Sequence, residues 1–254
     1  MSKTYEALKK ADAENESSCN SPLGSGFING REGPNVYWGN GVPNRLEYEK
    51  IRVWLTSPAA REQRIQTAMV VGCQSGTGTT TTAALLAATL AETKKSRVLI
   101  IDGNFRTPAL NQVFQVKNNG GFSDLVSDNL PYEARLQATT RPSLFVLTTG
   151  QIPVCPMEIF EGDGLEQLLI GLKHTFDFII FDAAPLLQFP DAYALAPRVD
   201  GVIIVIEAEK TSIEDAQRVK RHLEQVGARI LGVVLNRQRD YTPALLRRFV
   251  NNRH

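Results

Sequence analysis

The sequence predicts a doubly wound α/β fold: a mostly parallel sheet with helices on both faces. Three observations lead there. Continuous apolar runs of strand length recur at 67–72, 97–101, 144–148, 177–181, 201–206 and 230–235. Helical stretches separate most of them, most clearly at 79–92, 157–174 and 212–226. Strands apolar on both faces that alternate with helices belong to a parallel sheet covered on both sides. Finally, glycine-rich or acidic residues close three of the runs. Right-handed crossovers gather such strand ends along one edge, where open α/β sheets bind their ligands.

Taken in order, residues 1–11 read as a short N-terminal helix. Residues 12–45 are rich in Gly, Asn, Ser and Pro without a period and read as a flexible linker. Within it, Tyr37 and Trp38 mark a candidate docking spot. The domain is assigned to 46–254, opening with a helix in which Tyr48, Ile51, Trp54 and Leu55 share a face. The strand ending at Val71-Gly72 is expected at the centre, flanked by those ending at Asp102 and Asp182. The chain's 254 residues, 43% hydrophobic with a net charge of +1, suit one large α/β domain and a tail. Near-neutral charge gives no basic footprint for nucleic acid, and no nucleic-acid partner is expected. No apolar run approaches the roughly 20 residues that span a bilayer, and Met1–Leu8 lacks a signal-peptide core. Cys19, Cys73 and Cys155 have no metal or disulfide spacing, which fits a reducing compartment and a cytoplasmic location.

The first strand end carries Gly72-Cys-Gln-Ser-Gly-Thr-Gly-Thr-Thr-Thr-Thr82. A glycine-rich turn between a buried strand and a helix N-terminus cradles phosphate with its backbone N–H groups and the helix dipole. Gly76, Thr77, Gly78, Thr79, Thr80 and Thr81 are the candidate phosphate-binding residues. The full fingerprint requires Gly-Lys-Ser/Thr, and the lysine position is Thr79. The second strand end reads Asp102-Gly-Asn104-Phe-Arg106, the third Asp182-Ala-Ala-Pro185. A carboxylate closing a strand beside a phosphate loop is placed to hold Mg²⁺, with Thr80 supplying a hydroxyl. Each feature has a plainer reading: the loop as a tight connection, Asp182 as a helix cap, Asn104 as a turn residue.

Together these segments resemble the bacterial tyrosine kinase family, the P-loop proteins that control capsule and exopolysaccharide assembly. Met1–Lys10 resembles the start of free-standing members. Asp102-Gly-Asn-Phe-Arg-Thr-Pro-Ala-Leu110 is similar to the family's Asp-x-Asp-x-Arg-x-Pro-x-Leu. Gly121–Leu125, Gly150–Glu158, Asp182–Pro185 and Gly232–Asn236 resemble four further family segments. The resemblance implies a P-loop NTPase fold related to Min and Par ATPases and a bound Mg-ATP or Mg-ADP. It makes Asp102, Asn104 and Asp182 metal or catalytic positions, with Mg²⁺ on Thr80 and Asp182, and puts Asn236 on the adenine side. It further implies recruitment to the inner membrane face by a membrane polysaccharide co-polymerase, and homo- or hetero-oligomers with kinase-family subunits.

The departures are specific. Thr79 replaces the lysine and Asn104 the second aspartate. The family's oligomerisation motif, Glu-x-x-Arg-x-x-Arg, falls on Leu46, Glu49 and Arg52. Tyr241 is the single tyrosine after Asn236, where kinases of the family carry a tyrosine cluster. Phosphoryl transfer is mostly positioning and charge stabilisation, and one lost transition-state donor costs about 10²–10³ in rate. The expectation is therefore a degenerate member, a pseudokinase, that regulates polysaccharide synthesis and export, with Arg106 as the candidate for charge compensation. The alternatives are an active ATP-dependent tyrosine autokinase and a Min/Par-type positioning ATPase.

Overall fold

Seven strands form one sheet in the order β3-β4-β2-β5-β1-β6-β7. The structure, a computed structural model, describes residues 45–92, 96–128 and 131–238. The predicted helix over 1–11, nearly all of the predicted linker, and Tyr241 lie outside the described residues. All six predicted strands are present: β1 (Thr67–Gly72), β2 (Val98–Gly103), β4 (Leu144–Leu147), β5 (Phe178–Ala183), β6 (Gly201–Glu207) and β7 (Ile230–Asn236). They run parallel, and the two-residue β3 (Gln137–Ala138) adds an antiparallel edge to β4. The sequence reading had no β3, since two residues show no period.

Of the two expected neighbours of β1, the strand ending at Asp182 is found and the one ending at Asp102 is corrected. β1 pairs with β5 and β6, and β5 separates it from β2. The end of a strand reveals the edge it shares with the ligand, whereas its neighbours follow from the crossovers. The chain leaves β1 through α3 (Thr79–Leu90) and skips one strand position, which β5 later fills.

Two apolar layers sandwich the sheet. One face meets α1 (Arg45–Leu55), α2 (Pro58–Glu62), α3 and α4 (Leu110–Val113) over Val70, Ile100 and Ile180. The other meets α5 (Phe122–Asp128), α6 (Pro156–Glu161), α7 (Asp163–Thr175), α8 (Asp191–Leu195) and α9 (Ile213–Gln225) over Val71, Ile101 and Phe181. α3 is buried continuously from Thr82 to Leu90, and its alanines let it lie close against the sheet. The helix predicted over 157–174 is interrupted: Gly162 is extended, with φ −70° and ψ 156°, and divides α6 from α7. Both pieces keep an apolar face to the sheet, so their common period conceals the break.

Beneath the β2 and β5 ends, Phe105 stacks on Phe122 at 5.8 Å and meets Phe160 at 5.6 Å, while Phe122 meets Phe181 edge-on at 5.8 Å. Rigid rings bury much area at little entropic cost. This floor fixes the start of the loop that follows β2.

Candidate nucleotide site

At the C-terminal end of β1 the chain turns through 73–78 into α3. Gly76 and Gly78 have φ of +82° and +85°, the left-handed region that a Cβ disfavours. Gly78 caps α3 without a side-chain hydrogen bond, so no side-chain cap claims the first N–H groups of the helix. A turn of this shape, with a helix dipole behind it, can accommodate an anion. Thr80 and Thr81 lie on the first turn of α3, partly exposed.

Thr79 takes part in closing the loop. Its hydroxyl lies 3.0 Å from that of Thr77, which also donates to the Gln74 carbonyl at 3.2 Å. A Cβ on Gly72 would come within 2.3 Å of Thr77 Oγ1 and 2.5 Å of Thr79 Oγ1. Both hydroxyls thus fold back over the start of the loop. Where a lysine carries its ammonium outward on a four-carbon stem, Thr79 carries a hydroxyl inward.

Asn236 reaches the loop from the end of β7. Its amide donates to the Thr77 carbonyl at 2.8 Å, and a Cβ on Gly78 would come within 2.2 Å of its Nδ2. The loop is tied to its neighbours at two further points. Gln74 donates to Asp215 at 3.0 Å, and the Ser75 hydroxyl bonds Gln188.

Asp102 and Asp182 are partners in register across β2 and β5, both almost wholly buried. Asp102 accepts from the backbone N–H groups of Asn104 at 3.2 Å, Ala109 at 3.1 Å and Leu110 at 3.0 Å. Burial still pushes its carboxyl up from 3.8 to about 6, against the pull of those three donors. Asp182 has no completed hydrogen bond on either carboxylate oxygen. Burial, then the neighbouring Asp102 charge, hold its carboxyl well above the ordinary range, and the nearby Thr80 hydroxyl offsets this only in part.

A buried carboxylate without a partner is costly unless a cation joins it. Asp182, with Thr80 beside it, therefore fits a hydrated Mg²⁺, which takes one or two carboxylates and completes its shell with water and phosphate oxygens. Held there, such an ion would neutralise phosphate charge. Among the described residues, no group of three or more His, Cys, Asp or Glu side chains could hold a metal. A phosphate-borne Mg²⁺ requires none.

Asn104 and Arg106 are engaged within the protein. The Asn104 carbonyl accepts from the Thr107 N–H at 3.1 Å, and its amide donates to the Thr107 hydroxyl at 3.0 Å. This is the turn role among its sequence readings. Arg106, the candidate for charge compensation, is instead held two-pronged by Asp191 at 2.6 and 2.9 Å and lies over Phe189 at 5.0 Å. Sequence reasoning missed Asp191, Thr107, Gln188 and Asp215. The one available signal was an acid opening α8 after Pro190, which reads as ordinary helix-dipole compensation.

At the oligomerisation positions, Arg52 bonds Glu49 within α1, Nε to carboxylate at 2.8 Å. The arginine that survives from the motif is thus paired with the residue that replaces the other one.

Residues 66–237 match a family described as an AAA domain. The tyrosine-protein kinase YwqD of Bacillus subtilis is 31% identical over 196 residues, which are 76% of this chain and 82% of that protein. Among solved structures, the chimerical protein CapA2B2 superposes with a TM-score of 0.74 at 29% identity, covering 90% of this chain and 99% of the other. The septum site-determining protein MinD of Pyrococcus horikoshii, solved with Mg-ADP, gives 0.58 at 25% identity, covering 73% and 77%. By sequence and by superposition, the chain belongs to the bacterial tyrosine-kinase family of AAA-type P-loop proteins, structurally related to MinD.

Proposed function

We propose that this chain is a degenerate member of the family: a nucleotide-responsive regulatory subunit of capsule or exopolysaccharide assembly that does not transfer phosphate. The observation that carries the reading is Thr79, whose hydroxyl is folded onto Thr77 where the fingerprint places a lysine. Asn104 supports it, because an amide bonded at both ends to Thr107 is neither a metal anion nor a base. Removing one charge-assisted bond to phosphate costs roughly 1.5–3 kcal/mol. Coupled catalytic losses need not add, so either change alone can suppress turnover. The candidate roles follow the resemblance: Gly76–Thr81 cradle phosphate, and Thr80 and Asp182 hold Mg²⁺. Asn236 flanks the base.

A partner in the membrane follows by analogy. The name CapA2B2 joins a CapA part to a CapB part, and CapB of Staphylococcus aureus is a putative tyrosine-protein kinase 31% identical to this chain over 176 residues. No helix among the described residues is long and apolar enough to cross a membrane. Recruitment to the inner membrane face by a polysaccharide co-polymerase is consistent with both.

The test is incubation of the full chain with Mg-ATP, read by phosphotyrosine immunoblot and by phosphate release. The expected result is no tyrosine phosphorylation and turnover far below that of a lysine-containing relative. Thr79→Lys with Asn104→Asp should then restore measurable hydrolysis. A second reading, an active autokinase, is favoured by the retained Asp182 beside Thr80. Robust autophosphorylation of the unmodified chain would establish it.

A further inference from the structure

We infer that the site is selective for a nucleoside diphosphate over the triphosphate, reversing the preference a phosphoryl-transfer enzyme needs. The inference rests on the nucleotide-site reading above and deepens it by naming the ligand. The backbone cradle of a P-loop serves the inner phosphates, whereas its lysine reaches the outermost pair. Here the cradle is intact at Gly76 and Gly78, and α3 begins at Thr79 with no side-chain cap on its N-terminus. What is missing falls on the β- and γ-phosphates, of which a diphosphate has only the first.

Among the described loops at this edge, no unpaired cation takes the lysine's place. The described loops at this edge of the sheet are 73–78, 104–109, 148–155, 184–190, 208–212 and 237–238. Their basic residues are Arg106, Lys210 and Arg237. Arg106 is held by the buried Asp191. Lys210 and Arg237 both pair with Glu207, at 2.8 and 3.0 Å. The carboxyls that would draw a metal ion, by contrast, are in place. Asp182 is wholly buried and unpartnered beside Thr80, with Asp102 opposite it in register.

A single Mg²⁺ drawn to Asp182 balances a diphosphate better than a triphosphate. The extra phosphate adds charge near two carboxyls in a low-dielectric setting and gains no lysine. The diphosphate therefore loses the lysine at its β-phosphate alone, whereas the triphosphate loses it at both the β- and the γ-phosphate.

Competition titrations on the full chain settle it, with a fluorescent ADP displaced by ADP, ATP or a non-hydrolysable ATP analogue in excess Mg²⁺. The expected result is ADP tighter than ATP by about tenfold, the scale of one such contact. Thr79→Lys should tighten ATP far more than ADP and erase the preference. Equal affinities, tighter ATP, or equal tightening of both ligands by Thr79→Lys would overturn the inference. A triphosphate that binds best leaves the nucleotide site standing and removes only the selectivity. Binding of neither nucleotide removes both. The comparison on the unmodified chain needs no variant, so a folding defect in Thr79→Lys does not protect the idea.

Discussion

Asp102 and Asp182 stand side by side on adjacent strands, equally buried, and lead opposite lives. Asp102 is saturated by three backbone N–H groups and organises the chain from Asn104 to Leu110, so that α4 begins where its carboxylate ends. Asp182 has only the Thr80 hydroxyl nearby, and neither of its oxygens completes a hydrogen bond. Two carboxyls that look alike as strand-terminal acids are thus one saturated acceptor and one whose oxygens the protein leaves without completed bonds. The loop after β2 has turned inward: Asp102 holds its backbone, Asn104 closes its turn, and Arg106 anchors it to Asp191. The β5 end keeps its polar group available. Chemistry follows the group that the fold leaves unsatisfied.

The strongest way to break this comparison is to remove each acid in turn. Asp102→Ala should destabilise by about 3–4 kcal/mol, since three buried donors lose their acceptor, partly offset by loss of a buried charge. Urea unfolding measures this. A loss below about 1 kcal/mol would mean that the loop does not depend on the carboxylate.

Next in size is the anchor. Arg106→Ala should cost about 2–3 kcal/mol by stranding the buried Asp191. Asp191→Ala should cost less, because the Arg106 side chain is already 35% exposed and turns to water. The same unfolding measurement, applied to the pair and the double variant, reads the asymmetry. Equal costs would mean that the pair contributes as an ordinary surface bridge.

Asp182→Asn should act in the other direction, stabilising by about 1–2 kcal/mol at neutral pH through removal of a buried carboxyl whose ionisation the site disfavours. Its pH dependence sharpens the point. Both native carboxyls titrate above their ordinary value, Asp102 near 6 instead of 3.8. The folded state then holds protons that the unfolded chain has already released. The associated stability is fully present below about pH 4 and declines as pH rises toward and past 6. Thermal melts from pH 4 to 8 should show that decline in the native chain and a shallower one in Asp182→Asn. Identical slopes would place the proton elsewhere.

How much of this was legible in sequence follows from range. β1, β2, β5 and β6 are continuous apolar runs, and local pattern suffices to find them and the parallel class. The break at Gly162 and the two-residue β3 were hidden because neither disturbs an apolar period. At the site, Thr79 was visible as a missing charge, but its inward hydroxyl depends on the contact with Thr77 and Gly72 that only the folded loop creates. The Arg106–Asp191 pair spans 85 positions, and no sequence spacing connects them. A motif names the residues at an edge, whereas which of them remain free is decided by packing.

The smallest expected effect concerns the longest reach. Asn236 and the Thr77 carbonyl are 159 positions apart and bond at 2.8 Å. The resemblance assigns Asn236 to the base, while the geometry also makes it a brace for the phosphate loop. Asn236→Ala removes one donor to a partly buried carbonyl and opens space over Gly78, where the amide fills the position a Cβ would take. The cost should be about 1 kcal/mol, the net worth of a single neutral hydrogen bond. Binding separates the two roles. Loss of a brace loosens the cradle and weakens pyrophosphate and ADP by similar factors. Loss of a base contact weakens ADP and leaves pyrophosphate unchanged. Competition titration of both ligands against Asn236→Ala makes the distinction, and an unaltered pyrophosphate affinity would show that the loop holds its shape without its distant support.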